Sequence, residues 1–298
     1  MSTDRPRRPA FRLTIAAAMI AACATIPAAA LAAFELRDAS PAALGAVSTD
    51  IEAPPLLGAG SLDAFPAGFS RRGGTESPHF RLGASHAALF EVEGLSADHI
   101  GAAVGARGFT VEFSFEQVGG PGALEQSARL AIGERSSRAV SLGIAVERLD
   151  LSAEGEPRAG GWALGGESIA RVSATPVRVE VFFGGERLLR SAGLQRMDIG
   201  PSLVAGIRLL ARGASVTILD RWEGGGRTSP RVFLDVPLGG VVLIRIGRGE
   251  SPSRTGTAIL ARGGPLEAGV GRLDLAWGGA ITGLSIEFAP RPKRAGES

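Results

Sequence analysis

From Gly108 to Phe288 the chain alternates apolar and polar positions in short stretches, each closed by a Gly- or Pro-bearing turn. The clearest stretch runs Phe109-Thr110-Val111-Glu112-Phe113-Ser114-Phe115-Glu116, apolar at every odd position and polar at every even one. A period of two places the four apolar side chains on one face of a pleated strand and both carboxylates on the other. A helix of period 3.6 would scatter the same apolar set around its axis. The pattern predicts strands over 79–91, 98–106, 108–118, 125–134, 137–151, 160–173 and 176–190. A second set follows over 197–210, 213–223, 226–237, 239–249, 253–263, 265–277 and 279–289. That is an all-β chain of about 14 strands (roughly 12–14), each boundary good to a few residues. Tight connections such as Ala106-Arg107-Gly108, Ala211-Arg212-Gly213 and Gly263-Gly264 alternate with longer ones at 119–125, 154–161 and 223–229. An up-and-down antiparallel barrel gives that alternation. Even spacing also fits a string of hairpins in a sandwich or propeller.

The strand faces admit two solutions. In Val177-Arg178-Val179-Glu180-Val181 one face is all valine and the other holds an arginine and a glutamate. Leu273, Leu275 and Trp277 oppose Arg272, Asp274 and Ala276, while Leu284, Ile286 and Phe288 oppose Gly283, Ser285 and Glu287. Either the apolar face meets lipid around a polar lumen, or it forms a soluble core under a charged outer face. The lipid-facing solution lines the lumen with Glu112, Glu116, Arg178, Glu180, Arg208, Arg245, Asp274 and Glu287.

The N-terminus tilts the choice toward the membrane. Arg5, Arg7, Arg8 and Arg12 form a basic region, Leu13 to Ile26 is uncharged and mostly apolar, and Ala30-Leu31-Ala32 supplies the small residues of a cleavage site. Fourteen such residues make roughly 21 Å of helix, short of the ~30 Å hydrocarbon core. Residues 1–32 therefore read as a cleaved export signal. Ile20-Ala21-Ala22-Cys23 is similar to a lipobox, the rival reading being a lipid anchor on Cys23. The apolar run, however, continues to Ala33, where a lipoprotein turns polar. Residues 33–76 are rich in Ala, Gly and Pro without sustained alternation, 77–289 carry the strands, and 290–298 form a polar tail.

Composition narrows the chemistry. The mean hydropathy of +0.17 is high for a soluble β protein. The net charge is +2, the only lysine is Lys293, and the arginines are spread singly, so a clustered nucleic-acid face is absent. With no Tyr and only Trp162, Trp222 and Trp277, the aromatic belts of a membrane barrel are thin. His79 and His86 are seven positions apart, an odd offset, so on one strand they face opposite sides and share no metal; His99 is the third and last histidine. Gly83-Ala84-Ser85-His86-Ala87 lacks the final glycine and the following helix of a nucleophile elbow. No phosphate loop, dinucleotide fingerprint or calcium loop occurs, and we expect neither an enzyme nor a cofactor.

Three segments resemble the PorV/PorQ-type outer-membrane proteins, relatives of the FadL-like fatty-acid transporter barrels. Phe34-Glu35-Leu36-Arg37-Asp38-Ala39-Ser40-Pro41-Ala42-Ala43-Leu44-Gly45-Ala46 is similar to that family's mature start. Phe65-Pro66-Ala67-Gly68-Phe69 resembles its Asn-Pro-Ala-Gly-Leu segment, and Arg245-Ile246-Gly247-Arg248-Gly249 with Gly269 to Phe288 resembles its C-terminal hairpins. Phe65 replaces the usual asparagine, and ten residues follow Phe288 where many barrels stop at the aromatic. The resemblance implies a transmembrane barrel in the outer membrane of a Gram-negative-type bacterium. It also implies a plug over 33–76 that carries Pro66, Ala67 and Gly68. Its partners are outer-membrane lipid and either a small hydrophobic solute or a secreted protein. Function then divides between a transport channel for such solutes and a surface scaffold of a secretion system. A periplasmic or lipid-anchored β-sandwich binding protein is the third alternative.

Overall fold

The computed structural model describes residues 79–288 apart from 107–108, 135–138, 175, 197–199, 213, 224–226, 240, 251–252 and 277–278. The export signal, Cys23, the segment 33–76 with Pro66, Ala67 and Gly68, Trp277 and the tail lie outside the described residues. The strands are β1 (His79–Ala88), β2 (Ser96–Ala106), β3 (Phe109–Gly120), β4 (Ala123–Glu134), β5 (Val140–Ala153), β6 (Ala159–Ala174) and β7 (Val177–Arg190). A short helix α1 (Ala192–Arg196) precedes β8 (Ser202–Ala211), β9 (Ala214–Glu223), β10 (Arg227–Thr228) and β11 (Arg231–Leu238). The chain ends with β12 (Val242–Gly249), β13 (Arg254–Gly263), β14 (Leu266–Leu275) and β15 (Ala280–Phe288).

β10 and β11 are one strand interrupted at Pro230, which has no N–H to give. Thr228 opposes Trp222 and Arg231 opposes Leu219 in one continuous register, and Ser229 N donates to Arg221 O at 2.8 Å between them. Each strand pairs antiparallel with its sequence neighbours, and β1 also pairs with β15, Leu82 opposite Phe288 through Ala88 opposite Thr282. The sheet thus closes into a 14-stranded up-and-down barrel with no free edge. An even strand count is what lets the first and last strands meet antiparallel.

Connections of two to five residues (107–108, 135–139, 175–176, 212–213, 239–241, 264–265) gather at one end of the cylinder. The opposite end carries the longest ones, 89–95 and 191–201, together with shorter ones such as 121–122 and 154–158. We call these the turn end and the loop end. The expected strand over 197–210 begins only at Ser202, and the short helix α1 (Ala192–Arg196) lies before it. Ser191 ties that helix down: its N–H donates to Trp162 O at 2.9 Å, and its Oγ accepts from Trp162 N at 3.0 Å. Leu194 then packs on Leu149 and Ala163 of the inner wall.

Alternation sorts the two faces oppositely to a soluble protein. On β3, Phe109, Val111 and Phe113 are exposed outward while Glu112, Ser114 and Glu116 are buried inward. The same holds around the ring, with Ile144, Val181, Ile218, Ile259, Leu284 and Ile286 among the exposed outer residues. The sandwich solution fails on this point, since these large apolar side chains have no second layer to cover them.

Candidate functional site

Two surfaces carry functional meaning, the outer band and the lumen. The outer band is apolar from the turn end up to a polar rim at the loop end, where His86, Asp98, Gln117, Gln126, Arg148, Asp150, Arg248, Arg272 and Asp274 stand. The rim is stitched by local pairs: His86 Nδ1 to Asp98 Oδ1 at 2.7 Å, Arg148 Nη2 to Asp150 Oδ1 at 2.7 Å, and Arg248 Nη2 to Glu250 Oε1 at 2.9 Å. Aromatics flank the band at both ends. Phe80, Phe109 and Phe288 are exposed at the turn end, Trp162 and Trp222 at the loop end, with Arg148 stacked 5.5 Å from the centre of the Trp162 ring. Phenylalanine therefore supplies the belt that the missing tyrosines left thin.

Inside, buried charges line much of the wall. Glu112, Glu116, Glu180, Arg208 and Arg245 are buried and face the lumen. Arg178 shares their side of the wall near the turn end and is partly open to solvent, its Nε 3.7 Å from Glu180 Oε1. Glu287 pairs in register with Glu267 and with Gly83; its side chain lies outside the described residues.

Asp274 corrects the expectation. It is exposed on the outer rim, its Oδ1 2.8 Å from Arg272 Nε. β14 turns its apolar outer face (Leu266, Ala268, Val270) toward the turn end, so continued alternation brings Arg272 and Asp274 outward above that band. Leu273 and Leu275, read as the outer face, point inward instead.

Asp235, which the sequence reading missed, is the hub of the lumenal network. Arg245 donates from Nε to Oδ1 at 2.6 Å and from Nη2 to Oδ2 at 3.0 Å. Ser215 Oγ donates to Oδ2 at 3.0 Å, and Arg208 Nη2 reaches it from 3.5 Å. Arg208 and Asp235 stand on β8 and β11 with β9 between them, so the pair braces non-adjacent strands. Glu186 makes a second hub, accepting from Ser202 Oγ at 3.4 Å and approached by Arg221 Nη2 at 3.5 Å and Arg129 Nη1 at 3.9 Å. A third joins Arg171 Nε to Glu180 Oε1 at 3.6 Å, with Arg171 Nη1 donating to Ser141 Oγ at 2.7 Å. A buried charge is tolerable only when paired like this.

Buried Glu125, Arg221 and Arg231 charge the loop-end wall as well, and an apolar cluster lies beside them. Leu89, Val118, Ile169, Phe182, Val204, Leu219, Phe233, Leu273 and Ile281 belong to one buried cluster contributed from around the ring. Connection 89–95 helps to fill it: Leu89 is fully buried, Phe90 and Leu95 pack against the cluster, and Leu89 N donates to Leu95 O at 3.0 Å. Phe90 and Glu91 hold φ of 56° and 57°, left-handed backbone that turns the chain inward there. Among the described residues no group of His, Cys, Asp and Glu is placed to hold a metal ion.

No family model matches the chain, and no curated protein matches it in sequence. Solved structures match it in fold. The Pseudomonas putida toluene transporter TodX superposes with a TM-score of 0.57 at 7% identity, over 90% of this chain and 100% of that one. A TodX deltaS2S3 mutant, a monoaromatic hydrocarbon channel, gives 0.49 at 7% identity over 77% and 93%. The KdgM porin gives 0.40 at 8% identity over 70% and 98%. At such identities the likeness is one of fold.

Proposed function

We propose that this chain is an outer-membrane barrel that acts as a FadL-like channel for small hydrophobic solutes. One observation carries the reading: a closed ring whose outer face is exposed hydrocarbon and whose inner face holds the paired charges. Contiguous exposed apolar surface on this scale marks a membrane or partner interface. A ring without edges is the β solution that leaves no backbone group unpaired in lipid. The apolar cluster inside the lumen supports a hydrophobic solute over a salt or sugar, and the shared fold with a toluene transporter agrees with it. The short-turn end then faces the periplasm and the loop end the exterior, the arrangement usual for such barrels.

The test uses the purified full chain. A barrel of this kind migrates faster unboiled than boiled on a denaturing gel and fractionates with the outer membrane. Reconstituted in liposomes, it should raise uptake of toluene several-fold over protein-free vesicles. Migration that ignores heating and solubility without detergent would overturn the membrane assignment. A heat-shifting barrel that leaves toluene uptake at the background rate would overturn the channel while leaving the barrel intact.

A further inference from the structure

On β14, β15, β1 and β2 several inward positions are small, Gly271, Gly283, Gly83, Ala87, Ala97 and Gly101, beside the larger Glu267, Leu273 and Ile281. Elsewhere the wall is crowded by Phe182, Arg208, Phe233 and Arg245, the larger of its fully buried side chains. Within the small-residue wall, register places three polar residues on one rung, since Ser85 lies opposite His99 on β2 and opposite Ser285 on β15.

His99 is 6% exposed and Ser285 8%, yet His99 Nε2 and Ser285 Oγ have no hydrogen-bond partner. Ser285 Oγ sits in the space over Gly269, 2.8 Å from where a Cβ there would stand. Buried polar atoms in native proteins are almost always satisfied, so two orphans on one rung of a lumen leave hydrogen-bonding capacity that a molecule in the lumen can take up. One step toward the loop end the same strands present Ala87 and Ala97, and beyond them stand Leu89, Leu273 and Ile281 of the apolar cluster. Polar floor and apolar ceiling thus adjoin.

We propose that the Ser285–Ser85–His99 rung is a solute-binding station for an apolar molecule carrying one neutral hydrogen-bonding oxygen, such as an alcohol or ketone. Resting on the channel reading above, it names the solute class. Imidazole and hydroxyl can each donate or accept, so together they match a hydroxyl, which does both. An anionic head is disfavoured because Glu116 on β3 lies directly opposite His99 on the other side of the rung.

The experiment measures binding of benzyl alcohol, toluene and benzoate to the purified full chain, beside liposome uptake. The wild-type protein should bind benzyl alcohol best. His99→Leu and Ser285→Ala should each weaken benzyl alcohol about 2- to 10-fold and leave toluene within about 2-fold. His99→Gln, which keeps a donor and an acceptor, should restore most of the loss. The heat-dependent gel shift confirms that each variant is folded. Equal effects on toluene and benzyl alcohol, or benzoate binding best, would overturn the site. Selective benzyl alcohol binding without uptake of either neutral solute would keep the site and refute the channel.

Discussion

Replacing Asp235 by Ala asks whether the lumenal charge network is packed or wet. The carboxylate, Arg208 and Arg245 are each 1% exposed, and the substitution removes a buried carboxylate that both guanidiniums contact. Removing one partner from a buried ion pair costs about 3–5 kcal/mol, because the remaining charge stays desolvated. The same change at a water-exposed pair costs about 1 kcal/mol or less. With Arg245 held by two hydrogen bonds at 2.6 and 3.0 Å, the buried figure applies, and Asp235→Ala should destabilise the barrel by about 3–5 kcal/mol. Asp235→Asn, which keeps the shape and an acceptor, should fall in between. Urea unfolding in lipid, followed by tryptophan fluorescence, reads the difference. A cycle with Arg245→Ala should show a coupling above about 1 kcal/mol between the two sites. A loss below about 1 kcal/mol for Asp235→Ala would mean that water reaches the carboxylate, and the packed-brace picture would fail.

Three further outcomes follow from the faces and the packing. Ile144→Arg, at a fully outward position of the band, should cost about 2–4 kcal/mol in bilayers, whereas Gln126→Arg on the rim should be near neutral. Unfolding in liposomes compares them, and equal costs would remove the depth dependence that lipid contact requires. Gly206→Ala should destabilise by about 1–3 kcal/mol, because the Phe182 ring and Ile218 O already occupy the space of an added methyl group. Asp274→Ala should change stability by less than about 1 kcal/mol and leave toluene uptake unaltered, since its partner Arg272 is an exposed rim residue.

The ring was legible because alternation is a local property. Phe109 to Glu116 and Val177 to Val181 each reveal which residues share a face, and turn-forming glycines mark where strands end. Which face looks inward is not local, and Asp274 shows how this misleads. Leu273, Leu275 and Trp277 make a convincing apolar face in isolation, yet in the barrel Leu273 and Leu275 fill the loop-end lumen. The assignment had assumed a lumen polar along its whole length. Asp235 was missed for the reverse reason: in Arg231-Val232-Phe233-Leu234-Asp235-Val236 both faces carry apolar residues, so the period is blurred. Counting inward from Phe233 would have found it, had an apolar lumenal ring been foreseen. α1 escaped because five residues are too few for a helical period to register.

The interior follows from what the exterior demands. A cylinder with hydrocarbon outside must place its charges within, and each must find a partner there or in water. Some of these pairs join strands that are not neighbours: β8 to β11 through Arg208 and Asp235, β7 to β9 through Glu186 and Arg221, β4 to β7 through Arg129 and Glu186. Such ties stiffen the ring across the sheet direction, where backbone hydrogen bonds alone leave it free to shear. They also fill the lumen along β4 to β12 with long side chains. Gly271, Gly283, Gly83 and Gly101 put no side chain into the lumen on β14, β15, β1 and β2, and the proposed passage runs along that wall, where His99 Nε2 and Ser285 Oγ stand without partners. If substituting Gly83 or Gly283 by Leu left solute uptake unchanged, the path would have to run elsewhere, and the bracing network and the route could no longer be explained by one arrangement of side chains.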